Sequence, residues 1–274
     1  MSEPNAVPAD DVDADRFVDL VATLRTAGCV FAEDEARLLR AHARTPAELA
    51  LLTRRRLVGE PLEHVLGWAE FAGLRVAVEP GVFVPRHRSE FLVDEAAAAV
   101  PGARVVVDLC CGSGAIGAAL LQRLSTRDGA VELHAADVDE VAVRCARRTL
   151  GDRGEVHQGD LFAALPAALR GRVDLLVAST PYVPSDAVRL MPPEARVHEP
   201  LVALDGGRDG LDVVRRLVAD APAWLAPAGV VAVETSYEQA ATAGAAMAAA
   251  DLAAEVRMDD DGECVAVLGR IVMS

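Results

Sequence analysis

From Val105 onward the chain alternates short β-branched runs with helical stretches, and the first junction between them is the most constraining. Val105-Val106-Val107 leads into Asp108-Leu109-Cys110-Cys111-Gly112-Ser113-Gly114-Ala115-Ile116-Gly117, a glycine loop that ends a strand and opens a helix from Ala115 to Leu124. Further strand patterns occupy Glu132 to Ala135, Glu155 to His157, Val173 to Ala178, Val230 to Glu234 and Glu263 to Val272. Helical patterns from Val141 to Leu150 and from Leu211 to Leu217 lie between them. Strands separated by helices need crossover connections, so they pair in parallel and carry helices on both faces. The last strand follows a short helix and the turn Asp259-Asp260-Asp261-Gly262, which predicts an antiparallel strand at the sheet edge. The expected fold class is therefore α/β: a Rossmann-like, doubly wound sheet with an antiparallel edge strand.

Ahead of that domain the period changes twice. Residues 1–15 are acidic and contain Pro, without the apolar stretch of a signal peptide, and are expected to form a disordered leader. Residues 16–66 read as a small helical domain. Phe17, Leu20, Val21 and Leu24 recur at helical spacing, Gly28 stops that helix, and Thr45-Pro46 is a cap followed by Pro at the first helical position. Residues 67–88 read as a β-hairpin linker, with Leu74, Val76 and Val78 on one arm, Glu79-Pro80-Gly81 as the turn and Val82-Phe83-Val84 on the other. Residues 89–274 form the catalytic domain.

The glycine loop admits two cofactors. Gly112, Gly114 and Gly117 satisfy G-x-G-x-x-G, and Asp137 lies 20 residues beyond Gly117, so a dinucleotide is one reading. A dinucleotide presents a pyrophosphate to the helix N-terminus, and Asp108 would repel it. The same acid would attract an ammonium group, which S-adenosylmethionine carries together with a sulfonium and no phosphate. Asp137 ends the second strand, where a carboxylate can accept both ribose hydroxyls. Asp160, in Gly159-Asp160-Leu161-Phe162, follows the third, where an acid can accept from an adenine amino group. Ligands of open α/β sheets bind beyond the C-terminal strand ends, which favours S-adenosylmethionine and the class I methyltransferase fold. The cofactor-binding residues are then Asp108, Cys110, Gly112, Gly114, Ile116, Asp137, Val138, Asp160 and Leu161, with Ser179 at the mouth.

After the fourth strand comes Ser179-Thr180-Pro181-Tyr182. A strand ending in such a turn offers a side-chain acceptor, a backbone carbonyl released from the sheet and an aromatic face. That set can hold a planar NH2 group flat and aim its lone pair at an electrophile. These four residues are the candidate catalytic set; Ser179, Pro181, Tyr182 and Glu199 are the candidate substrate contacts. The formal net charge of −15 argues against nucleic acid as partner. Arg54-Arg55-Arg56 is one candidate for a local basic patch, though three Arg on a helix are more often a solvated face. Five cysteines in no C-x-x-C spacing read as reduced thiols of a cytoplasmic protein, with no metal site. No apolar stretch is long enough to span a membrane.

These motifs carry a resemblance. Gly59-Glu60-Pro61-Leu62 through Gly67-Trp68-Ala69-Glu70-Phe71, then Pro80-Gly81-Val82-Phe83-Val84-Pro85-Arg86 with Ser89-Glu90, resemble the protein-glutamine side-chain amide N-methyltransferases of the HemK/PrmC type. The stretch from Glu199 to Leu211 and the positions Glu234, Tyr237 and Gln239 are similar to the same family. The resemblance implies a S-adenosylmethionine-dependent transferase acting on a peptide chain release factor, with the helical domain recognising that protein. The chain departs from the pattern in three places, as a divergent paralogue would: Cys110 replaces the first glycine of the loop, and two further motifs change. Asn-Pro-Pro-Tyr of the family is Ser179-Thr180-Pro181-Tyr182 here, and Pro-Arg-Pro-Glu-Thr-Glu is Pro85-Arg86-His87-Arg88-Ser89-Glu90. Two other readings remain open on the residues: N-methylation of a small molecule or natural-product peptide, and a non-catalytic S-adenosylmethionine-binding module.

Overall fold

A computed structural model describes residues 9–124 and 130–272, with side chains from Arg16 onward. The chain divides into two compact units, Met1–Leu66 and Gly67–Ser274.

The first unit holds α1 (Ala9–Thr26), α2 (Ala32–His42), α3 (Pro46–Leu57) and α4 (Leu62–Leu66). Leu24, Ala32, Ala36, Leu39 and Leu52 are buried in it. The Thr45 hydroxyl accepts the Glu48 amide at 3.1 Å, with Pro46 at the first helical position. Two expectations change here. Helix α1 begins at Ala9, within the 1–15 segment expected to be a disordered leader. Residues 1–8 lie outside the described residues. The arginine run is not a free basic patch either. Arg56 forms a well-buried pair with Glu35 at 2.6 Å, and Arg55 binds Glu60 at 2.8 Å and the carbonyl oxygens of His64 and Val65. Buried guanidinium groups need such partners.

The second unit opens with a hairpin of β1 (Trp68–Phe71) and β2 (Leu74–Ala77). Its turn is Ala72-Gly73, both at positive φ (51° and 74°), as a two-residue hairpin requires. The second arm expected at 82–84 is therefore absent. That segment is packed instead, with Val82 and Val84 buried. Then follow α5 (Ser89–Ala99), β3 (Val105–Leu109), α6 (Ala115–Leu124), β4 (Glu132–Asp137), α7 (Glu140–Leu150), β5 (Glu155–Gln158) and β6 (Val173–Ala178). Two short helices, α8 (Pro193–His198) and α9 (Leu201–Leu204), precede α10 (Asp212–Asp220), β7 (Leu225–Thr235), α11 (Tyr237–Ala249), β8 (Leu252–Met258) and β9 (Val265–Ile271).

Seven strands form one sheet in the order β5-β4-β3-β6-β7-β9-β8. The first five run parallel, and β9 is antiparallel to both β7 and β8. The last strand is thus interior, and β8, reached from α11, takes the edge. Alternate residues feed two cores. Val106, Leu175 and Val177 pack on one face with Leu92, Ala119 and Leu120; Val107, Leu176 and Val231 pack on the other with Val214, Leu217 and Met247. Burial on both faces explains why the strands read as continuous apolar runs. The sheet's strand order reverses between β3 and β6, and the crevice there opens at their C-terminal ends.

Candidate functional site

At that crevice the glycine loop leaves β3. Asp108 is fully buried, and its Oδ2 accepts the Gly117 amide at 2.9 Å. Among the described residues its Oδ1 has no hydrogen-bond partner. Burial pushes the carboxyl up from 3.8 to about 7, with Asp137 adding to the rise and the Gly117 bond opposing it. Through the Gly117 bond Asp108, expected at the cofactor, ties the strand end to the start of α6. Ile116, also expected at the cofactor, is buried in the core beside Ala115 and Leu120.

Cys110 (φ 56°), Gly112 (φ 54°) and Gly114 (φ 75°) make the loop left-handed. A Cβ on Gly114 would lie 3.1 Å from the Ala146 Cα, so glycine lets the loop sit on α7. Cys110 takes a backbone conformation that costs a non-glycine residue about 1–2 kcal/mol. Glycine loses more unfolded-state freedom, which offsets part of that. Cys110→Gly should therefore raise stability, by up to about 1 kcal/mol; a lower urea midpoint would contradict the strain. The Cys110 thiol is pushed far above its ordinary value by burial, then by Asp137, Asp108 and Asp160. One thiol feels all three acids, so the loop gathers them.

Asp137 ends β4 with both carboxylate oxygens engaged. Oδ2 accepts the Gly112 amide at 2.8 Å and Oδ1 the Asp139 amide at 2.9 Å. Burial raises its carboxyl, and those two bonds oppose the rise. Each oxygen keeps a further lone pair. Val138 beside it is 51% exposed, an apolar surface at a loop tip. Asp160 is exposed and held by Arg216 at 2.5 Å, a partner that sequence spacing did not announce. Leu161, at φ 47°, is buried in the core cluster.

The tetrapeptide leaves β6 at Ala178. Ser179 Oγ donates to Glu234 Oε2 at 2.9 Å, and Ser89 Oγ donates to the same oxygen at 2.7 Å. Thr180 is buried, and no donor among the described residues pairs with its carbonyl. Pro181 is buried, and Tyr182 is partly exposed. The Tyr182 carbonyl accepts Gln239 Nε2 at 2.7 Å, which also donates to the Asp209 carbonyl at 3.0 Å. Arg88 lies 5.6 Å from the Tyr182 ring centroid and donates to its hydroxyl. Burial pushes the Tyr182 hydroxyl up, Glu234 adds to this, and Arg88 and Arg86 oppose it.

The loop after α9 grips this turn from outside. Gly206 donates to the Val183 carbonyl at 2.9 Å, and Val183 to the Leu204 carbonyl at 3.1 Å. A Cβ on Gly206 would stand 2.5 Å from the Pro181 carbonyl oxygen. Glu199, expected at the substrate, is bound within the protein. Its carboxylate is buried, accepting the Val84 amide at 3.2 Å and Arg86 at 2.5 Å, so it anchors residues 84–86. A carboxylate with so little water must be paired. Glu234 and Gln239, which carry the tetrapeptide's main side-chain bonds, were visible in sequence only as motif positions.

His134, Glu155 and His157 gather on neighbouring strands, with His134 Nδ1 and His157 Nε2 3.0 Å apart. The ring centroids are 5.3 Å apart, close to the greatest separation this nitrogen distance allows. The nitrogens thus face each other in line, the arrangement of one N–H···N bond. Ligands of a tetrahedral ion converge at an angle instead.

The family model for the methyltransferase small domain matches residues 73–192. A release factor glutamine methyltransferase of Streptomyces coelicolor is 44% identical over 68% of this chain and 66% of its own length. One from Mycolicibacterium smegmatis is 38% identical over 78% of this chain and 80% of its own. Among solved structures, the T. thermophilus 16S rRNA N2 G1207 methyltransferase in complex with AdoMet and guanosine aligns with TM-score 0.53 at 19% identity. That alignment covers 75% of this chain and 50% of the other, and it shows a shared fold. Among the described residues no helix is long and apolar enough to cross a membrane.

Proposed function

Because the chain belongs to the release factor glutamine methyltransferase family, we propose that it transfers a methyl group to the side-chain amide nitrogen of a glutamine in a peptide chain release factor. S-adenosylmethionine is the cofactor, and its sulfonium supplies an electrophilic methyl with a built-in leaving group. The crevice suits such a cation. Asp137 and Asp160 stand at the glycine loop, and Arg216, the cation acting on Cys110 beside them, is held by Asp160. Asp137 has lone pairs left for the ribose hydroxyls, Val138 offers an apolar surface, and Gly112 and Gly114 leave the loop without side-chain bulk.

The observation that carries the reading is the turn at Ser179–Tyr182. Ser179 Oγ and the Thr180 carbonyl are two acceptors for the two amide hydrogens, and Tyr182 offers a ring face to the planar group. An amide nitrogen is a poor nucleophile because its lone pair is shared with the carbonyl. Accepting both hydrogens returns electron density to nitrogen and fixes the attack direction, and positioning of this kind accounts for much of an enzyme's rate. The unit Met1–Leu66 is the part we assign to recognition of the protein acceptor. It exposes Val30, Phe31, Leu51 and Val58, apolar surface available to a partner.

The test is transfer of radiolabelled methyl to purified release factor, with the labelled residue mapped by mass spectrometry. Label on glutamine supports the reading; label confined to small molecules, or cofactor binding without transfer, overturns it. Asp137→Ala should weaken cofactor binding at least tenfold in calorimetry, because it removes both the acceptor and the brace on Gly112. Unchanged affinity would remove Asp137 from the site.

A further inference from the structure

We propose that Glu234 is a positioning residue that turns Ser179 into a proton-relaying acceptor, an arrangement that the Ser at this position makes possible; this rests on the proposed N-methyl transfer. Glu234 is the penultimate residue of β7, and its side chain is only 7% exposed. Its Oε2 receives hydroxyl protons from Ser179 and Ser89, and its Oε1 lies 3.7 Å from Arg88 Nε. Tyr182 and Cys264 also feel its charge.

A free hydroxyl can donate or accept, and donation to an incoming NH2 group would be useless. An ionised carboxylate can only accept, so Glu234 commits the Ser179 hydrogen inward. The lone pairs of Oγ are then left for the acceptor's N–H. Arg88 and the Ser89 hydroxyl hold the carboxylate in place while this happens. Two of the departures from the family pattern, Ser179 and Arg88, thus meet on one side chain.

The arrangement also disposes of the proton. The nitrogen lone pair forms the N–C bond as the S–C bond breaks, and the electron pair of that bond stays on sulfur. The amide nitrogen, now positive, loses one hydrogen to Ser179 Oγ, and the Ser179 hydrogen passes to Glu234 Oε2. Glu234 returns its proton to solvent when product leaves. An Asn side chain at 179 could accept the hydrogen bond, but it could not pass the proton on.

The test is a double-mutant cycle in kcat with release factor as acceptor. Glu234→Gln should lower kcat at least about 100-fold with little change in KM, since relay of a proton is worth roughly 10²–10⁴. Glu234→Asp should recover part of that loss. In a Ser179→Asn background, Glu234→Gln should cost less than about tenfold, because no relay remains to break. Equal losses in both backgrounds would mean that Glu234 only supports the fold, and would overturn the proposal. A second measurement does not depend on turnover. The Glu234 carboxylate stretch, identified in infrared spectra as the band lost in Glu234→Gln, should shift in Ser179→Ala. An unshifted band refutes the hydrogen bond. A shifted band with no transfer by the unaltered enzyme would sink the acceptor assignment while supporting the Ser179–Glu234 pairing.

Discussion

Gly210→Ala should cut methyl transfer by roughly 100-fold or more, although Gly210 touches no reacting atom. Its φ is 79°, and a Cβ there would stand 2.1 Å from the Tyr182 carbonyl oxygen and 2.2 Å from Gln239 Nε2. Neither neighbour can yield cheaply. The Gln239 amide donates to two carbonyls, Tyr182 and Asp209, while its Oε1 accepts the Ser236 amide at 3.1 Å. Swinging it away would unpair three backbone groups at a cost of about 1–3 kcal/mol each. The Tyr182 carbonyl must move instead, and it is the last residue of the acceptor turn. A shift near 1 Å in a positioning group costs on the order of 100-fold. Asp137 lies on another loop, so cofactor affinity should stay within a few-fold. Single-turnover kinetics beside calorimetry would measure both, and wild-type turnover in a folded Gly210→Ala protein would show that the turn tolerates displacement.

The second large effect concerns stability and pH. Asp108 has its carboxyl raised to about 7 from 3.8 by burial. Between those values the folded protein holds a proton that the unfolded chain has released. Its contribution is therefore fully present below pH ~4 and is lost as pH rises through ~7, a change on the order of 4 kcal/mol. Asp137 is displaced in the same direction. Asp108→Asn keeps an acceptor for the Gly117 amide and cannot ionise. It should unfold at higher urea than the parent at pH 8 and near the parent's midpoint at or below pH 4. If the two proteins keep the same difference at both pH values, Asp108 does not ionise in this window.

What was legible in the sequence was local. The strand–helix alternation, the Thr45 cap and the glycine loop are set by side-chain period and backbone freedom within a few residues. The hairpin was misplaced for the same reason. Glu79-Pro80-Gly81 carries strong turn chemistry, whereas Ala72-Gly73 carries a weaker signal and is stabilised by the pairing of Phe71 with Leu74. Arg55 and Arg56 read as a charged surface because their partners lie elsewhere. Glu35 is 21 residues away from Arg56 in sequence.

By itself, then, the sequence determined most of the alternating strands and helices, the acids at the strand ends and the residue types of the acceptor turn. Only the tertiary structure decided which of those groups face the crevice. Asp108 and Glu199 are acids in suggestive motifs, and both are buried and bound to backbone amides. Glu234 stands 55 residues from Ser179 and 145 from Ser89, yet one of its oxygens accepts from both. Such a meeting leaves no trace in local spacing, because it follows from β6, β7 and α5 packing side by side. The polarity of the Ser179 hydroxyl, and with it the direction a proton can take, is a property of that packing.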